Sequence, residues 1–530
     1  MHKHLDAGDA SRDRSKSHHA AVDLSTSLKQ FFSAPSLANV ASRQLVYTRW
    51  RRLTWTLNEE EPNLHNGDTV EKYGQKFMWS PLHKTRRELQ PLRQIGDPDC
   101  DAVLAVLDPQ PDDDILEMLF DRADASTAAS TCSAEDDKVL RDFVLRYSTV
   151  PTWVDWNMIR RGQQVFIRYL PLCGLALFYI SLVGGFSVPL ITKVLRATGY
   201  LTSGSKRVLR RLADTGHMIC ECVIQQDDDF SLQPKTRGEG WKAVLRVRFL
   251  HGMVRRRLLQ KSYWQSDLWG VPINQEDMAA TLLAFSYNVL IGIEMILGHP
   301  LSPADEHAYI HFWRYIGWVM GVQEEYNPCV DVMHSKAALE SIVMHLLEPD
   351  HDSIAVAHHL LRTSAHSEWS LRFRYELCRC FLGDQLADAL ELPRHRYMRH
   401  LVTVFLYLLR AYGWVAEGTA GRLLETKLHR LHSFALRKAL ERGRSRGSTH
   451  QLQADPPVEY SAEQLTMQGR RLSTDSLPSP SPFSSCPFNS ISSALLTTPS
   501  IDNVGMGNSG VAVEYSYSNH LIKIRSKPKG

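Results

Sequence analysis

From about residue 136 to residue 440, apolar positions recur at spacings of three and four, the repeat of helices that bury one face, while alternating strand-like runs are scarce. The pattern predicts an all-α protein. Two helices carry marked ends. In "VPINQEDMAATLLAFSYNVLIGIEMILGHP" Asn274 is placed to cap, Glu276 and Asp277 fall in the first turn, and Gly298 and Pro300 close the apolar run. In "SPADEHAYIHFWRYIGWVMGV" Ser302 caps, Pro303 takes the first helical position, and Asp305 and Glu306 complement the helix dipole.

Where the pattern fades, the chain reads differently. Residues 1–28 are polar with no sustained apolar run and read as a disordered arm. Residues 443–530 include "LSTDSLPSPSPFSSCPFNSISS" and read as a Ser/Pro-rich disordered tail, because such a composition buries too little apolar surface to offset its ordering entropy. The body, 29–442, is expected to be one large helical domain. Within it, 108–137 reads as an acidic loop or insertion broken by Pro109 and Pro111, and 351–442 as C-terminal helices closing the body. The stretch "YLPLCGLALFYISLVGGFSVPLI", 169–191, is long enough to cross a bilayer. Pro171, Gly174, Gly184, Gly185 and Pro189 interrupt it, and a buried helix or helix pair has the same composition.

Composition narrows the function classes. With 530 residues, 43% hydrophobic and 22% charged, the chain can bury a large core, and its net charge of +3 lacks the broad basic face that nucleic acid requires. Nine scattered cysteines with no CxxC pair exclude a disulfide framework or zinc ribbon, and the two CxC pairs, Cys220/Cys222 and Cys378/Cys380, read as buried free thiols in apolar helical contexts. His307 and His311 share a helix face but lack the glutamate of HExxH, so they are expected to be structural, as are His358 and His359. No phosphate-binding glycine loop or GxSxG elbow is present. No secretory signal is visible, which favours the cytosol or the cytosolic face of an internal membrane.

One segment carries candidate chemistry. In "RVRFLHGMVRRRLL", 246–259, a helical wheel places Val247, Leu250, Val254 and Leu258 in one arc of roughly 100° with His251 at its rim. Arg248 and Arg255 lie within roughly 60° on the other side of His251. An imidazole between an apolar wall and two guanidinium groups suits haem: an axial nitrogen for the iron, aliphatic packing for the ring, and cations for the propionates. A histidine at the core edge, bonded to a backbone carbonyl among solvated arginines, has the same pattern.

The blocks "LRVRFLHGMVRRRLL", "WGVPINQEDMAATLLAFS", "AYIHFWRYIGWVMGV" and "FLGDQLADALELP", with "GDPDCDAVLAVL" and "PTWVDWNMIRRGQQVF" upstream, resemble the family of rubber oxygenases (latex-clearing proteins) and MpaB-type oxygenases bound at the endoplasmic reticulum, across roughly residues 70–400. The resemblance implies a globin-like helical core, b-type haem, and cleavage of carbon–carbon double bonds in isoprenoid chains with dioxygen. It implies His251 as the iron's proximal ligand. It also implies Arg211 and Thr215, from "RRLADTGHM", as distal-pocket residues; their spacing of four places them on one helix face. Without the family, Thr215 reads as bonding back to a helix carbonyl and Arg211 as exposed.

Two departures accompany the likeness. The rubber enzymes carry a lysine directly before that threonine, able to occupy the sixth iron position; here Asp214 stands there. Their pocket glutamate has no counterpart in "GGFSVPLITKVLRATG". A smaller prenylated or terpenoid substrate, as in the fungal branch, therefore fits better than a polymer. The branch also points to the endoplasmic reticulum. The alternative reading is a catalytically inactive helical protein that binds lipid or a partner at a membrane.

Overall fold

A computed structural model describes residues 52–441, apart from short stretches of which the longest are 126–132, 199–204, 225–230 and 418–429. The expected arm and tail, and Cys132 and Cys486, lie outside the described residues. Helices of two turns or more are labelled in chain order: α1 Pro98–Leu107, α2 Ile115–Asp124, α3 Ala134–Ser148, α4 Trp156–Arg168, α5 Pro189–Ala197, α6 Ser205–Val223, α7 Glu239–Leu259, α8 Gln275–Phe285, α9 Tyr287–Leu297, α10 Pro303–Val319, α11 Val332–Leu346, α12 His351–Thr363, α13 Glu368–Leu382 and α14 Arg396–Glu417. The protein is all-α in class. The strand-poor reading missed one small feature, a three-stranded sheet of β1 Arg52–Leu53, β2 Thr69–Lys72 and β3 Gln75–Met78 in the order β1-β2-β3. Its β2–β3 hairpin turns through Tyr73 and Gly74, both at positive φ, the backbone a two-residue hairpin loop requires.

Both chemically marked helices form as their ends dictate. The Asn274 side chain accepts the Asp277 N–H, Ser302 accepts the Asp305 N–H, and Gly298 closes α9 in the left-handed conformation. The first run is not one uninterrupted helix, however. It breaks at Ser286, whose hydroxyl donates to the Leu282 carbonyl 2.8 Å away, a side chain competing with the helix for its own backbone.

Residues 170–183 also depart from a straight span. Leu170–Leu175 is α-helical, Ala176–Val183 is a π-helix, and the chain breaks before α5. Leu172, Cys173, Ala176, Tyr179 and Val183 are buried in the main core. Among the described residues, Gln275–Leu297 is long and apolar enough to cross a membrane, and Trp156–Arg168 with Leu170–Val183 qualifies jointly although bent by 81°. Both contribute buried residues to the same core.

Close helix contacts are made through glycines. A Cβ on Gly162 of α4 would come within 2.5 Å of the Ala308 carbonyl oxygen of α10, and one on Gly252 of α7 within 2.5 Å of Leu104 of α1. Within the stretch expected as an acidic loop, α2 buries Leu116, Leu119 and Phe120 in the main core, so this part is built into the body. The C-terminal helices α12 to α14 pack onto α5, the π-helix and α9.

Candidate functional site around His251

Helix α7 buries a face that the wheel did not assign to the core. Arg248, Gly252 and Arg255, spaced i, i+4, i+7, are buried toward α1. Gly252 has no side chain to hold the helices apart. The charges on either side are matched. Arg248 Nε and Nη2 donate to the two carboxylate oxygens of Asp97, at 2.7 and 2.8 Å, and Nη2 also donates to Tyr147 Oη at 2.8 Å. Its Nη1 donates to the Val319 carbonyl at 3.2 Å, and the guanidinium stacks 4.0 Å from the Tyr147 ring centre. Burial opposes this charge, but the Asp97 carboxylate holds the guanidinium above its ordinary range. Arg255 grips Asp101 with Nε and Nη2 at 2.8 to 3.0 Å and gives Nη1 to the Ile273 carbonyl at 2.9 Å.

These bonds correct one expectation. Arg248 and Arg255 were read as cations for cofactor carboxylates, yet their forked donors are committed to Asp97, Asp101 and backbone carbonyls. A buried arginine whose carboxylate partner lies inside the protein gains nothing by reaching outward. Their work is to fasten α7 onto α1. Asp97, Asp101 and Tyr147 are the residues sequence reasoning missed. The signal was present in the block "GDPDCDA", where two aspartates four apart begin a helix and therefore share a face.

With the arginine face turned to α1, the neighbouring stripe of Val247, Leu250, His251 and Val254 is only half-buried. His251 keeps partial exposure as a residue, but its Nδ1 is buried and has no hydrogen-bond partner. Burial first, and then the Arg255 charge, lower its pKa to about 4, so the imidazole is neutral at physiological pH. Val254 joins Val194 and Ala197 of α5 in a small apolar cluster with Leu258 and Trp264, which places α5 beside this stripe.

Helix α6 lies along the same region. Its end meets the start of α7, where the Cys222 thiol faces the Gly240 carbonyl at 3.8 Å and a Cβ on Gly240 would meet the Glu221 carbonyl oxygen. The two helices pack as neighbours from that joint. Counting back from Cys222 to Arg211 and forward from Gly240 to His251 gives eleven residues each way, so equal rises put Arg211 and His251 at comparable heights. Thr215 Oγ1 donates to the Arg211 carbonyl at 3.1 Å, the local back-bond that its spacing allowed.

The other histidines have structural partners. His311 Nε2 accepts the Asp155 N–H at 3.0 Å, His307 Nδ1 lies 2.6 Å from the Pro303 carbonyl, and His358 bridges Tyr375 Oη and the Leu390 carbonyl. All seven described cysteines are free and buried.

Residues 172–417 match the family described as "ER-bound oxygenase mpaB/B'/Rubber oxygenase, catalytic domain". This likeness spans just under half of the chain. A rubber oxygenase from Streptomyces sp. (strain K30) is 26% identical over 306 residues, which span 56% of this chain and 72% of that relative. The solved structure of latex clearing protein LCP in the closed state is similar at a TM-score of 0.45 and 20% identity, over 66% of this chain and 91% of that one. By its likeness to this catalytic domain and to the rubber oxygenase, the protein is an oxidoreductase of the oxygenase type. The family match includes α5 to α14, and with them Arg211, Thr215 and His251. It does not include α1 or its two aspartates.

Proposed function

We propose that this oxygenase depends on haem b held by His251 and cleaves a carbon–carbon double bond of an isoprenoid or similarly hydrophobic chain with dioxygen. The observation that carries the reading is the His251 ring, neutral, with a buried nitrogen lacking any partner, at the edge of a half-buried apolar stripe. Leaving such a nitrogen unpaired costs on the order of 1–3 kcal/mol, and neutral imidazole is the form that ligates a metal. Among the described residues, no group of three or more His, Cys, Asp or Glu is arranged for a metal ion. Iron held by a macrocycle and one imidazole needs no such group.

When bound, haem supplies the iron that activates dioxygen. The chain's own residues do the rest. His251 fixes the cofactor, while Val247, Leu250 and Val254 offer apolar surface to it and to an alkene. Arg211 and Thr215 would lend one positive charge and one hydroxyl to the polar side of the pocket. Arg248 and Arg255 act one step back, holding α7 so that His251 keeps its direction. The cofactor's carboxylates are left to other donors. The same reading places the protein in the cytosol or on the cytosolic face of the endoplasmic reticulum.

Reconstitution with haem tests the assignment without relying on turnover. The full chain is expected to bind haem with a Soret band that His251→Ala loses while its helical circular dichroism is retained. Undiminished haem content in a folded His251→Ala protein would remove the proposal's foundation.

A further inference from the structure

Helix α14 is apolar on two opposite sides. Val402, Leu406 and Gly413 are buried against the body. On the far side, Tyr397, Leu401, Val404, Leu408 and Val415 form a stripe at helical spacing, from 39% exposed at Val415 to 89% at Tyr397. Tyr407 and Trp414 are about half exposed beside it, and Leu431 and Phe434 are exposed further along the chain. An exposed apolar strip of this length marks an interaction surface.

Charge identifies what it meets. Residues 394–447 contain twelve arginines and lysines against three acidic residues, in a chain whose net charge is only +3. On α14 itself Arg396, Arg399 and Arg410 stand against Glu417, so a second copy of this helix would bring like charge against like. The segment 448–530 carries six residues of each sign and offers no complement. A bilayer with anionic headgroups supplies both requirements, apolar depth and negative charge, and exposed tyrosine and tryptophan suit its interface.

A second feature adjoins the stripe. On α4, Arg160, Arg161 and Arg168 line a surface pocket with Asn157, Gln164 and Asp305, three guanidinium groups to one carboxylate. Asp305 is bonded to Arg161 at 2.8 Å and lies 3.9 Å from Arg168. The C-terminal end of α4 is fastened to that of α14: Tyr412 Oη donates to the Arg168 carbonyl at 2.9 Å and Tyr169 Oη to Glu417 at 3.0 Å. His432 Nδ1 donates to the Ile167 carbonyl at 2.7 Å. The cationic pocket therefore flanks the end of the stripe that carries Trp414 and Val415.

We infer that the outer face of α14 and the neighbouring α4 arginine pocket dock this protein peripherally on an anionic phospholipid bilayer, the stripe entering the headgroup boundary and the pocket receiving a headgroup phosphate. This surface is independent of haem ligation and can be tested apart from it.

The experiment is flotation of the full chain with vesicles of phosphatidylcholine, with or without phosphatidylserine. The chain floats with the mixed vesicles and about tenfold less with phosphatidylcholine alone or in high salt, as a basic surface requires. Leu401→Glu with Leu408→Glu lowers flotation about tenfold or more, since charge at the boundary is disfavoured. Arg160→Glu narrows the preference for phosphatidylserine. A polarity-sensitive dye on Val404→Cys shifts to the blue when mixed vesicles are added to the otherwise intact chain. An unshifted dye, a double variant that floats like the parent, or a parent dimer that the double variant converts to monomers would each overturn the inference.

Discussion

Asp97 does two things with one carboxylate. It caps α1 by accepting the Cys100 N–H, and it neutralises Arg248 in a site where both side chains are almost wholly buried. Asp97→Asn keeps the cap geometry but leaves the buried guanidinium only the partly exposed Asp99, 3.9 Å away, as counter-charge, a loss of up to about 3–5 kcal/mol. The double variant Asp97→Asn with Arg248→Met is expected to recover much of that loss. Denaturant midpoints across the four proteins measure the coupling, and strictly additive values would mean the pair is not acting as a unit. A second residue governs pH behaviour. His345 gives Nε2 to the Lys84 carbonyl at 2.9 Å, and burial lowers its pKa from 6.5 to about 4. The unfolded chain therefore binds this proton first. Stability is fully present above about pH 6.5 and declines as pH falls toward 4, by roughly 2–3 kcal/mol from this group. His345→Gln should flatten the decline in thermal melts recorded between those limits.

Between helices, the glycine contacts differ in what they meet, and that difference orders the expected damage. A methyl on Gly162 would strike the Ala308 backbone, which cannot move aside, whereas one on Gly252 meets the ends of the Leu104 and Cys100 side chains. Gly162→Ala should lower stability by about 1–3 kcal/mol despite the better helix propensity of alanine, and Gly252→Ala by clearly less. A calorimetric comparison settles the order. The same scale explains what the sequence could reveal. Caps such as Asn274 and Ser302 act within four residues, so their chemistry is readable in the chain. The break at Ser286 is also local, but serine in mid-helix is commoner than serine that breaks one. The Arg248–Asp97 and Arg255–Asp101 pairs join positions some 150 residues apart. Without knowing that α7 lies on α1, the arginines looked available for a ligand, and the wheel assigned the apolar arc, rather than the arginine face, to the core. His251 was legible as an unusual residue because its neighbours are local. Its unpaired Nδ1 depends on the packing of other helices and was not.

At the scale of the whole molecule, no described cysteine takes part in a crosslink, and burial pushes thiols such as Cys220 up to about 11. Neither property favours thiolate chemistry at neutral pH. The melting temperature should be the same with and without reductant, and modification of the buried thiols should follow global unfolding in rate. A melting point that falls on reduction would reveal a covalent link among residues outside the described set.

The fastening of α7 to α1 bears on how this enzyme is divided for study. The matched catalytic domain begins at residue 172, whereas both acidic anchors of the histidine-bearing helix lie some seventy residues earlier. A recombinant fragment cut at the start of that domain would retain every candidate haem contact yet strand two cations on a dry surface, and is expected to precipitate. The catalytic cassette and the autonomous folding unit are thus different lengths of polypeptide, and grafting the first requires carrying the upstream helix along with it.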